Sequence, residues 1–151
     1  MSKNNTKLEY FGVNFIDDRG STKFINDFNF LDFEIKRFYI IENFTNNFIR
    51  AWHAHKNETK AALCIQGAVM LCRVKLDDFN IPSKNLDIEK FTLECTQPKI
   101  IIIPKGYANG VMNLKPDSKI IFFSDKTLKD SANDDYRFEY NYWNPWKVNF
   151  R

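Results

Sequence analysis

Apolar residues recur along this chain in short alternating runs, separated by turn-forming residues at intervals of roughly 8–12 positions, the spacing of short β-strands. Residues 10–15 read as a strand closed by Asp17-Asp18-Arg19-Gly20, a turn signal ending in glycine. Residues 21–25 read as a second, and the Asn/Asp/Phe-rich stretch 26–32 as a loop with aromatic anchors. Over residues 33–41 the alternation is strict. Phe33, Ile35, Arg37, Tyr39 and Ile41 fall on one face, with Glu34, Lys36, Phe38 and Ile40 on the other. The pair Lys36-Arg37 is expected on a solvated strand edge. Strands are predicted next at 49–55, 59–65 and 68–76, with Gln66-Gly67 as a hairpin turn between the last two. Residues 86–93, 99–104, 107–114 and 119–123 complete the series. The four isoleucines 100–103 are the pattern of a strand buried on both faces. About eight to ten short strands with turns between them predict an all-β sandwich or barrel.

The ends differ from this pattern. Residues 1–9 are polar and expected to fray, and they lack the apolar core of a signal peptide. Residues 126–151 hold Tyr136, Phe138, Tyr140, Tyr142, Trp143, Trp146 and Phe150, with a short helix predicted within 128–137. So many aromatics need a surface to cover, either the domain's own flank or a second subunit. The chain is expected to form one domain over 1–151, with its core at about 10–125 and a tail at 126–151. Charge adds little: net +3 with signs interspersed gives no basic stripe for nucleic acid. The longest near-apolar run, 61–72, is too short to span a bilayer. The three cysteines, Cys64, Cys72 and Cys95, all lie in apolar strand-like runs without a CxxC pair. Reduced, buried thiols in a cytoplasmic protein are the expectation.

The chemistry concentrates in Arg50-Ala51-Trp52-His53-Ala54-His55-Lys56, which carries both histidines of the chain. Their spacing places both imidazoles on one face of a strand. Histidine suits both proton transfer and metal binding. A transition metal held by the two histidines and Glu58 is one reading, but no third histidine exists to complete a set. The other is proton transfer without metal, with a histidine as general base. Arg19, Arg50, Lys60 and Arg73 would then bind anions such as phosphates, and Tyr39 or Tyr107 would donate a proton. A solvated histidine pair at a strand end stands against both. An ideal strand puts Arg50 on the face opposite His53, so joint action on one ligand requires a strand start or a bulge.

These motifs resemble a known group. The chain is similar to cupins of the nucleotide-sugar epimerase and ketoisomerase group, from Asp17 to about Tyr142. Asp18-Arg19-Gly20 resembles an early Asp-Arg-Gly element of that group. Arg50-Ala51-Trp52-His53 is similar to the Arg-Gly-x-His segment of dTDP-4-dehydrorhamnose 3,5-epimerases, and Pro104-Lys105-Gly106-Tyr107-Ala108-Asn109-Gly110 to their Pro-x-Gly-Phe-Ala-His-Gly turn. His53-Ala54-His55-Lys56 resembles the His-Ala-His-Lys segment of 3,4-ketoisomerases. Residues 33–39 and 73–78 are similar to that family too.

The resemblance implies a cupin jelly roll, His53 as base, Arg50 as a phosphate ligand, and Lys60 near the sugar. The ketoisomerase likeness adds His55 as a second acting histidine. Asn109 stands where the second cupin motif has histidine, which argues against a metal and alters a substrate contact. The Trp143-Asn144-Pro145 segment lacks the acidic partner of the epimerase base, and Phe122-Phe123 occupies the neighbourhood of its proton-donating tyrosine. The expected function is isomerisation of a nucleotide-linked 4-keto-6-deoxy sugar: epimerisation at C3, C5 or both is favoured slightly, for Lys60 and the 104–110 turn, over 3,4-ketoisomerisation. A non-catalytic sugar-binding cupin is the reading of a different class. No cofactor is called for. The expected partners are a nucleotide sugar, with dTDP the implied carrier, and a second copy in a homodimer built on the N-terminal strands and the aromatic tail.

Overall fold

The computed structural model describes residues 7–151. Of the N-terminal stretch expected to fray, residues 1–6 lie outside the described residues. Among the described residues the chain forms twelve strands and one short helix: β1 (Glu9–Phe11), β2 (Val13–Asp17), β3 (Gly20–Phe24), β4 (Arg37–Glu42), β5 (Ile49–Ala54), β6 (Lys60–Gln66), β7 (Ala68–Lys75), β8 (Glu89–Glu94), β9 (Lys99–Ile103), β10 (Tyr107–Asn113), β11 (Lys119–Ser124), α1 (Leu128–Ala132) and β12 (Tyr136–Arg137). Two five-stranded antiparallel sheets, in the orders β1-β9-β6-β11-β4 and β12-β5-β10-β7-β8, face each other, and β2-β3 is a separate hairpin. This is the expected all-β sandwich of the jelly-roll type.

The alternation read from the sequence builds the core. Leu71, Val111, Ile101, Ile103, Ile120 and Phe122 are buried together between the sheets. Ile100 and Ile102 point the other way, under Tyr10, Phe28 and Phe33, so the isoleucine run is buried on both faces. The apolar interior gives way to polar groups at one end. There Lys60 of β6 pairs across Ser124 of β11 to Arg37 of β4.

Four expectations change. Gln66-Gly67 is not a hairpin, because β6 and β7 lie in different sheets. Gly67 (φ 69°) instead turns the chain from one sheet to the other. A Cβ there would lie 2.3 Å from Ser118 Oγ, so only glycine fits. Strand β4 starts at Arg37 rather than 33, since the amides of Glu34 and Ile35 close turns onto Leu31 and Phe30 and Phe33 tucks against Tyr10. Arg37 itself is not solvated: it is half-buried and paired with Glu58 at 3.0 Å. Strand β8 starts at Glu89 because Leu86 and Ile88 pack into the flank cluster around Trp143 and Trp146.

That cluster also places the tail. Trp143 and Trp146 bury themselves on Trp52, with ring centroids 5.3 and 5.1 Å away. The Trp52 indole donates to the carbonyls of Tyr140 and Trp143. These tryptophans cover the chain's own flank rather than waiting for a second subunit.

Candidate active site

The register of β5 against β10 decides which side chains meet. His53 pairs with Asn109, but Ala51, not Trp52, pairs with the next residue, Gly110, and Arg50 pairs with Val111. One residue of β5 is therefore extra, a β-bulge that shifts the alternation by one. Ala51 and Trp52 both face the tail. Arg50 joins His53 on the inward face, in line with Val111 and Asn109. The bulge removes the conflict that an ideal strand posed. Asn109 donates its side-chain amide to the His53 carbonyl at 3.2 Å, holding the strand at the bulge.

Across the cleft stand groups from the other sheet. Tyr39 stacks on Phe122, and the Lys60 ammonium lies 5.7 Å from the Tyr39 ring centroid. The His53 imidazole is held below its ordinary pKa, first by burial and then by the positive charges of Arg137 and Lys60. It therefore stays neutral, and able to accept a proton, at neutral pH.

His55 is buried and shares the influence of Lys60 with His53, but makes contacts of its own. Its Nδ1 donates to the Asp134 carbonyl and lies 3.2 Å from Glu58 Oε2, while its Nε2 lies 3.1 Å from Lys60 Nζ. Burial, then Lys60, lowers its pKa. Glu58 is buried and accepts from Ser124 Oγ (2.5 Å), Ser131 Oγ (2.8 Å) and Arg37 Nη2 (3.0 Å). Burial pushes its carboxyl up, but the Ser124 hydroxyl, Lys60, His55 and Ser131 together hold it below the usual carboxylate range.

The remaining sequence-based candidates scatter. Arg50 donates to Asn43 Oδ1 at 2.6 Å with its exposed head beside Phe48. Arg73 is buried and spent: it grips Glu89 with two donors (3.2 and 2.8 Å) and donates to the Ile102 carbonyl at 2.5 Å. It closes the wall between the sheets and offers no free donor fork to a substrate. Tyr107 packs against the apolar core, 5.8 Å from Arg73. Arg19 sits on the β2-β3 hairpin, bonded to Asp17 and 84% exposed, away from both inward faces. Among the described residues no cluster of three or more His, Cys, Asp or Glu is placed to hold a metal.

The family model FdtA (WxcM-like, C-terminal) matches residues 4–147. The chain belongs to this family. Over 79 residues it is 38% identical to a TDP-4-oxo-6-deoxy-α-D-glucose-3,4-oxoisomerase of Aneurinibacillus thermoaerophilus, a match spanning 52% of this chain and half of the relative's length. Its fold is shared with dTDP-4-dehydrorhamnose 3,5-epimerase of Bacillus anthracis, solved with TDP and PPi bound (TM-score 0.74, 23% identity, 98% of this chain and 90% of that one). It is shared also with a 3,4-ketoisomerase of Helicobacter canadensis (TM-score 0.66, 19% identity, 89% and 92%).

In this FdtA-family chain the sequence reading missed Arg37, Ser124, Ser131 and Asp134. Asp134 fixes the histidine loop, its carboxylate accepting from the amides of Lys56 and Asn57 at 2.8 Å each. Only Glu58 carried a signal, as an acid three residues past His55, and it was weighed there as a metal ligand. Glu58 stands beside His55, not His53; the acid whose charge acts on His53 is Asp135.

Proposed function

We propose that this chain isomerises a nucleotide-linked 4-keto-6-deoxy sugar, moving the keto group from C4 to C3. The observation that carries the reading is the bulge at Trp52, which sets a neutral base, His53, and a phosphate-binding cation, Arg50, on one inward face opposite Lys60 and Tyr39. The sugar's ketone acidifies the adjacent C3–H. His53 removes that proton, and Lys60 stabilises the charge that develops on O4. Arg50 takes the diphosphate.

Epimerisation shares this first step and was the outcome the sequence favoured. Ketoisomerisation is better supported by the oxoisomerase relative. The side of the cleft facing His53 also presents groups suited to moving hydroxyl protons, Lys60 backed by His55.

The test is incubation with TDP-4-keto-6-deoxyglucose in deuterated water. A 3-keto product with deuterium at C4 is expected. Deuterium at C3 or C5 with inverted configuration would establish epimerisation instead. Binding without exchange would establish the non-catalytic cupin. His53→Asn should abolish exchange while nucleotide binding persists, and an unchanged rate would remove His53 as the base.

The dimer belongs to the same proposal. The hairpin exposes Val13, Phe15 and Ile16 at 50–70%, an apolar surface that a second copy would cover, carrying Arg19 toward that copy's cleft. Light scattering should give twice the chain mass, falling to one chain mass in Phe15→Glu/Ile16→Glu. A wild-type monomer would refute it. A reducing cytoplasm is supported by three free thiols, with burial pushing Cys72 up to about 12.

A further inference from the structure

A cavity of about 410 Å³ lies on the outer face of the β1-β9-β6-β11-β4 sheet, under the segment 23–30, and none of its lining residues belongs to the candidate site. That volume is in the range of small-molecule sites. Its walls are Phe28, Phe30 and Phe123, whose ring centroids lie 5.5, 6.3 and 5.0 Å apart. Its floor is Leu63 and Ile100. The Cys64 and Cys95 thiols also border it. Burial pushes Cys64 up to about 11, so this group is a neutral thiol and a weak donor. Such a lining gives water too few partners, and an apolar molecule fits it better. One charge stands at the rim. Lys23 of β3 is exposed, donates to Ser21 Oγ at 3.4 Å and has no carboxylate partner among the described residues.

The register of the β2-β3 hairpin sets the direction of that charge. Lys23 pairs with Asn14, and the Asn14 amide donates to the Thr96 carbonyl at 2.9 Å. Cross-strand partners share a face, so Lys23 lies on the side of the hairpin turned to the body of its own chain. Phe15, paired with Thr22, lies on the opposite side. A second copy engaging Phe15 therefore leaves the cavity and its lysine open. We propose that this cavity binds a free medium-chain carboxylate, its alkyl chain among Phe28, Phe30 and Phe123 and its head group on Lys23. Apolar walls with one cation at the mouth match an amphipathic monoanion: the chain leaves water, and the carboxylate stays at the exposed end. A plain hydrocarbon would leave Lys23 unused, and a sugar would bury hydroxyls against phenylalanine rings without partners. The site is independent of the sugar chemistry at His53.

Isothermal titration of the full chain with hexanoate, octanoate and decanoate tests the assignment. One site per chain is expected, with Kd falling about fourfold for each added methylene, as about 0.8 kcal/mol of burial gives. Lys23→Gln should weaken decanoate about fivefold, the upper end for an exposed ion pair, and leave decanol binding unchanged. Ile65→Trp fills the mouth from a position already 43% exposed and should abolish binding of both. Phe30→Glu, at a position 52% exposed, should abolish decanoate binding even if the tryptophan variant fails to fold. A wild type that binds none of the three acids overturns the proposal, as does a Kd that ignores chain length or a stoichiometry of several acids per chain. Equal decanoate affinity in Lys23→Gln overturns the placement of the head group. Binding seen only in Phe15→Glu/Ile16→Glu would make a second copy the occupant of the cavity and overturn the carboxylate.

Discussion

Replacing Trp52 by phenylalanine isolates what the tail contributes. Trp52 is fully buried, and its indole N–H is shared between the Tyr140 carbonyl (3.1 Å) and the Trp143 carbonyl (3.0 Å). Phenylalanine keeps an aromatic ring against Trp143 and Trp146 but has no donor. The Tyr140 carbonyl retains the Trp146 indole at 2.8 Å. The Trp143 carbonyl loses its indole partner, at a cost of about 1–3 kcal/mol for a buried unpaired acceptor. The smaller ring leaves roughly 40 Å³ unfilled, which adds about 1 kcal/mol at about 24 cal/mol per Å³. The expected loss is about 2–4 kcal/mol, a fall in Tm of about 10 °C for a chain of this size at about 2–4 °C per kcal/mol. Guanidinium titration with an unchanged m-value measures it directly. Hydrogen exchange adds a local readout, because the Phe138 amide donates to the Trp52 carbonyl at 3.1 Å and should lose protection. A loss below about 0.5 kcal/mol, with Phe138 still protected, would refute the claim that this indole pins the tail.

Three further outcomes follow from the same contacts. Arg73→Lys should lower stability by about 1–3 kcal/mol, since lysine cannot reproduce the fork on Glu89 and the bond to Ile102, while KM stays unchanged; a raised KM with normal stability would return Arg73 to the substrate site. Arg50→Ala should raise KM at least tenfold with kcat little altered, and an unchanged KM in steady-state kinetics would remove it from phosphate binding. His53 and His55 are both depressed from 6.5, so the unfolded chain binds protons that the folded chain does not as pH falls below 6.5; stability should be complete above that pH and decline below it, and equal denaturation midpoints at pH 7.5 and 5.5 would contradict the burial of neutral histidines.

The strands were legible because their alternation is a local property. Arg37, Tyr39 and Ile41 face inward as the pattern of 33–41 required, and the four isoleucines are buried on both faces. The hairpin at Gln66-Gly67 was misread because turn chemistry reports a reversal of the chain, not which strand lies beside it. The positive φ of Gly67 is real, but Ser118 from a distant turn is what excludes a side chain there. The histidine stretch was found as the site, yet its geometry was not. Two-residue spacing placed both imidazoles together, and each feels the charge of Lys60; what spacing could not give is the partners that engage His55, Asp134 and Lys60. The partners responsible lie up to 79 residues away, beyond any local pattern.

The bulge shows why the aromatic tail and the candidate site are one problem. A strand can hide Trp52 and Ala51 on the same outer flank only by breaking its alternation between them, and the break is what turns Arg50 inward beside His53. A hydrophobic demand on the outside thus sets the order of charged groups on the inside. Gly110 completes the arrangement, because a Cβ there would lie 2.6 Å from the Ala51 methyl and 2.7 Å from the Trp146 ring. Gly110→Ala should therefore push the tail off β5 and disturb Arg50 before it touches the base. The expected signature is a rise in KM and loss of Phe138 amide protection, with C3 exchange at saturating substrate largely kept. An alanine variant with native KM and a protected Phe138 would mean that the bulge does not depend on the tail at all.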